Sequence, residues 1–168
     1  MKSKVLIVDD ESMIRSTLKS VLSREPYDVI CADSGEEALA ILEKEEIDLI
    51  ITDEMMPGMT GIELLAITRK KYPDTFRMIL TGFANLDSAI TAINKGEVYR
   101  FFTKPCNIDD LIEAIRQALE HRELKRENLR LIEKINEQSK TISELEKKQP
   151  GITKVKRDGN GAVIIEDF

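Results

Sequence analysis

The feature that most constrains this chain is a rhythm: short apolar runs of strand length alternate with segments of helical period from residue 4 to about residue 120. Such alternation is the signature of repeated βα units, in which crossover helices join parallel strands into a sheet covered on both faces. The runs are Lys4 to Val8, Tyr27 to Ala32, Ile47 to Thr52, Arg77 to Leu80 and Val98 to Phe102. After the first, Met13, Ile14, Leu18, Val21 and Leu22 recur at helical spacing, and Ser34 with Glu37 forms a capping box for a helix through Leu42. Five strands and five helices are expected. Gly96 would close the fourth helix as a C-terminal glycine cap, and Asn107 would open the fifth, whose first turn carries Asp109 and Asp110.

The fifth helix meets no Gly or Pro before Pro150-Gly151, so its pattern runs for roughly 40 residues, well beyond an ordinary globular helix. It is expected to leave the globule. Read as heptads, positions 121, 128, 135 and 142 hold His, Asn, Ile and Ile, while 124, 131, 138 and 145 hold Leu, Leu, Gln and Leu. Five of those eight seam positions are apolar. Farther on, Ile152 to Arg157 and Ala162 to Glu166 flank Asp158-Gly159-Asn160-Gly161, a composition suited to a hairpin turn, though an isolated hairpin is marginal in water. The expected organisation is a domain over 1–120, a coiled-coil helix over 121–149 and a C-terminal hairpin or flexible tail over 150–168.

Composition removes several function classes. With 31 acidic and 25 basic side chains, net −6, general charge disfavours a polyanion, so no direct nucleic-acid binding is expected. The apolar run Val5 to Val8 stops at Asp9, too short for a signal-peptide core or a membrane span, which points to a cytoplasmic protein without membrane insertion. Cys31 and Cys106 read as small hydrophobes rather than a disulfide. A single histidine, His121, cannot build a His-rich metal site, and a zinc ribbon needs more cysteines.

In an open parallel sheet of this kind, ligands bind beyond the carboxyl ends of the strands. There the sequence places Asp9-Asp10-Glu11, Asp53-Glu54, Thr81-Gly82 and Thr103-Lys104-Pro105. Acidic pairs directly after buried strands repel one another unless a cation lies between them. Oxygen ligands without histidine suit a hard ion such as Mg2+. Mg2+ beside a lysine implies a phosphoryl group. The ammonium neutralises one phosphoryl oxygen, Thr81 donates a hydrogen bond to another, and a carboxylate attacks phosphorus. The constellation reads as a phospho-aspartate site.

These residues resemble the receiver domain of bacterial two-component response regulators, a flavodoxin-like fold with strand order 2-1-3-4-5. The resemblance covers residues 4 to about 120. It is carried by Val5-Leu-Ile-Val-Asp-Asp-Glu11, Asp53-Glu-Met-Met-Pro-Gly-Met-Thr-Gly61, Leu80-Thr-Gly82 and Phe101-Phe-Thr-Lys-Pro105, in that order. It implies that Asp53 takes a phosphoryl group from a sensor histidine kinase or phosphotransfer protein. Asp10, Asp53 and the Met55 carbonyl would bind Mg2+, with Asp9 acting mostly through water. Lys104 would contact the phosphoryl group, Thr81 would move toward it, and Phe101 would swing inward behind Thr81. Lys104-Pro105 is similar to the family's cis peptide. Taken as plain residues, Phe101 is core, Met56 packs beneath the loop, the side chain at 55 faces solvent and Gly61 permits close helix approach. Met55 and Phe83 would flank the path of a hydrolytic water and, being apolar, slow loss of the phosphoryl group.

Residues 106–168 hold 12 basic and 13 acidic side chains, net −1, with no second globular pattern and no helix-turn-helix spacing. Output is therefore expected through a downstream protein partner, from a parallel homodimer whose seam is Leu124, Asn128, Leu131, Ile135, Ile142 and Leu145. The expected role is regulatory rather than enzymatic: a phosphoacceptor that assists its own phosphorylation and dephosphorylation. The competing reading is a coiled-coil adaptor or scaffold with a passive receiver fold, against which the intact set of acids and lysine argues. A phosphatase of the haloacid-dehalogenase type would need a second aspartate at 55, where the chain has Met.

Overall fold

The computed structural model describes residues 2–82 and 98–150. The expected fourth helix with its Gly96 cap, Phe83, and the expected hairpin from Gly151 onward lie outside them. Strands β1 (Ser3–Val8), β2 (Tyr27–Ala32), β3 (Leu49–Asp53), β4 (Phe76–Thr81) and β5 (Arg100–Thr103) form one parallel sheet in the order β2-β1-β3-β4-β5. The parallel sheet is what the alternation implies, and its strand order is the flavodoxin-like one that the family resemblance implies. The described helices are α1 (Ser12–Leu22), α2 (Gly35–Leu42), α3 (Gly61–Lys71) and α4 (Ile108–Lys148), the last being the helix counted fifth in the sequence.

Alternation along the strands sorts side chains into two cores, because successive residues point to opposite faces. Leu6, Val8, Ile50 and Ile79 join Ala38, Leu42, Leu64 and Leu65 of α2 and α3. On the other face Val5, Ile7, Leu49, Ile51, Met78 and Leu80 join Leu18 and Leu22 of α1 with Leu111, Ala114, Ile115 and Ala118 of α4. Each fully buried aliphatic side chain contributes about 1.5–3 kcal/mol of transfer free energy, and both faces are covered, as a parallel sheet requires. Cys31 and Cys106 are free thiols half-buried against this second core, and burial pushes both thiols up.

Three expectations shift by small amounts. Ile47 and Val98 are buried but lie ahead of their strands, since apolar character puts a residue in the core without putting it in the ladder. Asp48, before β3, uses its side chain to accept the Lys4 N–H at 2.7 Å and pair with Arg122. On α1 the buried stripe is Ile14, Leu18 and Leu22, and Met13, one helical step away, is 79% exposed.

Caps fix the helix starts. Ser34 Oγ accepts the Glu37 N–H at 3.3 Å, but the Glu37 carboxylate reaches the Asp33 N–H at 2.7 Å instead of closing the box on Ser34. A complete reciprocal box sits at α3, where Thr60 and Glu63 satisfy each other's backbone N–H groups. Asn107 Oδ1 accepts the Asp109 N–H at 3.0 Å and opens α4.

The chain divides into units of residues 1–123 and 124–168. Near the end of the first, Arg122 is buried: its Nε donates to the Asp74 carbonyl at 2.8 Å, and its guanidinium pairs with Asp48 at 2.5 Å and Glu46 at 3.3 Å. His121, counted in the heptads, makes ring contacts with Phe76 and Tyr99 at 5.6 and 6.0 Å. The second unit is described to residue 150 and consists chiefly of the remaining α4 turns, with Leu124, Leu131, Ile135, Ile142 and Leu145 exposed, together with Leu129 and Ile132. Among the described residues no helix is long and apolar enough to cross a membrane.

Candidate functional site

Strand register assembles the site. Val8 pairs with Thr52, so Asp9 and Asp53 emerge side by side at the carboxyl edge, while Asp53 lies opposite Leu80 and Thr81 opposite Thr103. Lys104 follows β5, its N–H donating to the Thr81 carbonyl at 2.8 Å, and the Lys104-Pro105 bond is cis. Its ammonium then lies 2.9 Å from Asp9 Oδ2 and 2.7 Å from Asp53 Oδ1. One cation is shared by two carboxylates.

Burial sharpens these contacts. Asp9 is wholly buried and Asp53 nearly so, which strengthens an ion pair by lowering the local dielectric. Burial lowers the tendency of Lys104 to stay charged, yet hydrogen bonds and charge from Asp53 and Asp9 outweigh it and hold its pKa above the ordinary lysine value. Asp9 Oδ1 accepts the Glu11 N–H at 2.9 Å, so both its oxygens are engaged. Asp10, by contrast, is exposed.

The remaining expected residues are distributed around this pair. The Met55 side chain is exposed and Met56 is buried in the core beneath α2 and α3. Phe101 is half-buried against that same core. Thr81 is fully buried, and its hydroxyl donates to the Glu54 carboxylate, a partner for which the sequence offered no role. Gly61 permits a close approach: its N–H donates to the Glu54 carbonyl at 3.0 Å, and a Cβ there would sit 2.0 Å from the Asp53 carbonyl oxygen. Arg15, also unmarked in the sequence, donates from Nη1 to the carbonyls of Asp9 at 2.6 Å and Asp10 at 2.9 Å, fixing the loop that carries both acids. A basic residue one turn into α1 behind an acidic loop was the only available signal.

The family described as the response regulator receiver domain matches residues 5–116. The chain belongs to that family. It is 33% identical over 130 residues to the hydrogenase transcriptional regulatory protein HoxA of Cupriavidus necator, covering 77% of this chain and 27% of that protein. It is 39% identical over 116 residues to the transcriptional regulatory protein GlrR of Escherichia coli, covering 69% of this chain and 26% of that one. The chain thus spans about a quarter of the length of these curated relatives. The crystal structure of the signal receiver domain of an HD domain-containing protein from Pseudomonas fluorescens superposes with a TM-score of 0.71 at 40% identity, covering 75% of this chain and 93% of that one.

Receiver domains generally bind Mg2+ at the phosphorylation site and interact with histidine kinases or phosphotransfer proteins. The donor chemistry of this receiver fits that ion. Among the described residues its edge offers the carboxylate oxygens of Asp9 and Asp53, which lie close enough to share one cation. Among the described residues no three Asp, Glu, His or Cys side chains are grouped tightly enough to hold a metal by themselves. Mg2+ is usually held by one or two carboxylates together with waters and a substrate phosphate.

Proposed function

We propose that this chain is the phosphoacceptor of a cytoplasmic two-component relay, with Asp53 taking the phosphoryl group from the phosphohistidine of a sensor kinase or phosphotransfer protein. A carboxylate oxygen of Asp53 attacks phosphorus, the P–N bond breaks, and the imidazole leaves with the bonding pair and takes up a proton. Lys104 neutralises charge on the transferring oxygens, where the loose transition state spreads it. Asp10, Asp53 and the Met55 carbonyl would hold Mg2+, with Asp9 acting through water, and the ion when bound offsets further negative charge on the phosphoryl group. Thr81 then donates its hydroxyl to a phosphoryl oxygen, and Phe101 follows inward. The chain acts as a regulator that assists its own phosphorylation. An apolar groove of about 540 Å3 lined by Met13, Ile14, Leu18 and Pro105 runs up to Lys104, offering a donor protein an apolar surface beside the acceptor.

Output in this reading passes through a parallel homodimer over roughly 118–147 to a downstream protein partner. Leu124, Leu131 and Leu145 at one seam position, Ile135 and Ile142 at the other, and the register-setting Asn128 favour two strands. Their exposure in the single chain supports it.

The observation that carries the phosphoacceptor reading is the Lys104 ammonium shared by Asp9 and Asp53 at the carboxyl edge. Intact-mass spectrometry with a small phosphodonor tests it: one phosphoryl adduct is expected with Mg2+, and none in chelator or in Asp53→Asn. An adduct at full yield in Asp53→Asn, or equal yield in chelator, overturns the assignment.

A further inference from the structure

The Thr81 hydroxyl has one proton and more than one acceptor. It donates to Glu54 Oε2, and the Gly82 carbonyl lies 3.0 Å away as an alternative. Thr81 is 0% exposed and Glu54 4%, so neither group can turn to bulk water when the other lets go. Among the described residues Thr81 is the hydrogen-bond partner of the Glu54 side chain. The contact is held in place by backbone: the Glu54 N–H donates to the Leu80 carbonyl at 2.9 Å, directly after the paired residues Asp53 and Leu80. A buried carboxylate is an expensive choice for a position that only needs to fill space.

We propose that Glu54 is a positioning residue that holds Thr81 in its unphosphorylated arrangement and so sets how readily this receiver switches. The proposal rests on the reading of Asp53 as phosphoacceptor and Thr81 as the residue that moves. A phosphoryl group on Asp53 draws the Thr81 hydroxyl toward itself, but one proton cannot serve both anions. Capture by the phosphoryl group leaves the Glu54 carboxylate buried without its donor, and that lost hydrogen bond opposes the switched state. Hydrogen bonds to charged groups are the strong class, so the opposition is sizeable. Glu54 thus keeps the unphosphorylated population high, and phosphorylation must outcompete it rather than act on a free hydroxyl.

Beryllofluoride, a stable phosphoryl mimic that binds the acceptor carboxylate with Mg2+, reads this competition in the full chain. The probe's affinity is measured for the native sequence, Glu54→Gln and Glu54→Met, each also combined with Thr81→Ala, with urea midpoints recorded for every variant. Removing a charge-assisted hydrogen bond is expected to tighten binding about 10-fold to 100-fold in Glu54→Met, with Glu54→Gln intermediate because its amide oxygen still accepts a weaker bond. In the Thr81→Ala background the same substitutions should change affinity far less, the mark of a coupled pair. Unchanged or weaker binding in both Glu54 variants overturns the proposal, as does tightening of equal size without the Thr81 hydroxyl, which would mean charge repulsion alone. If Glu54→Met fails to fold, Glu54→Gln with its Thr81→Ala partner decides the matter. Absence of beryllofluoride binding in every protein, native included, instead overturns the underlying assignment of Asp53.

Discussion

Lys104→Ala removes the cation that, among the described residues, Asp9 and Asp53 share. Taking one partner from a fully buried ion pair costs about 3–5 kcal/mol, whereas an exposed pair is worth about 0–1 kcal/mol. This site lies between those limits: the Lys104 side chain is 25% exposed and the Asp9 side chain 0%. Asp9 keeps its bond from the Glu11 N–H, so the expected loss is about 2 kcal/mol rather than the full buried cost. With a urea slope of about 1–3 kcal/mol per molar, the midpoint should fall by about 1 M in chelator. Mg2+ at a hundred times its Kd stabilises a protein by about 2.7 kcal/mol, and in the variant it meets carboxylates no longer occupied by an ammonium. The gap should therefore close by half or more in saturating Mg2+, at fixed protein concentration, while phosphorylation is uncoupled from any downstream response. The ion pair's contribution does not vary near neutral pH. A raised lysine pKa gives stability that is complete below the free value of 10.5 and fades only as pH climbs through the folded value. Equal midpoints in chelator, or a gap that ignores Mg2+, would refute the shared-cation account.

Gly61→Ala places a methyl group 2.0 Å from the Asp53 carbonyl oxygen, so α3 or the end of β3 must move. Denaturation should show a loss of about 1–3 kcal/mol, with slower phosphorylation as the acceptor shifts. Arg122→Met strips Asp48 of its guanidinium partner and should cost about 2–4 kcal/mol by urea unfolding, and Arg122→Lys should recover only part because one ammonium cannot reproduce the planar fork. Light scattering should give a dimer mass that survives dilution, and Asn128→Ile should raise the melting temperature while relaxing oligomer choice; a monomer at high concentration in both phosphorylation states would sink the dimer.

The succession of strands and helices was legible because apolar runs and strand-end chemistry are local signals: Val5 to Val8 followed by Asp9 says both where a strand lies and where it stops, whereas the strand order came from the family resemblance. The acid and lysine positions were legible for the same reason, Asp9 and Lys104 falling directly after a strand and Asp53 ending one. Met13 was misplaced because an apolar residue adjacent to a buried stripe satisfies helical spacing without sharing its face, and only the angle of α1 on the sheet decides. Glu54 was seen as a strand-end acid, but its burial and its grip on Thr81 depend on β3 and β4 lying in register, information no single segment contains. Arg122 reads as one more charge on a polar helix until the loops before β3 and β4 close over it.

That arginine gives the sheet two unlike ends. Around its guanidinium meet the Asp74 carbonyl ahead of β4 and Asp48 ahead of β3, and Asp48 in turn accepts the N–H of Lys4 in β1 and, through its carbonyl, that of Phe76 in β4. Amide protons closing this knot should exchange with solvent only as fast as the whole unit opens, whereas those of Glu11 and Lys104 at the opposite edge can exchange through smaller excursions. The sheet is in effect a reed clamped at one end. In the phosphoacceptor reading, a displacement that begins at Asp53 would start at the edge opposite that clamp.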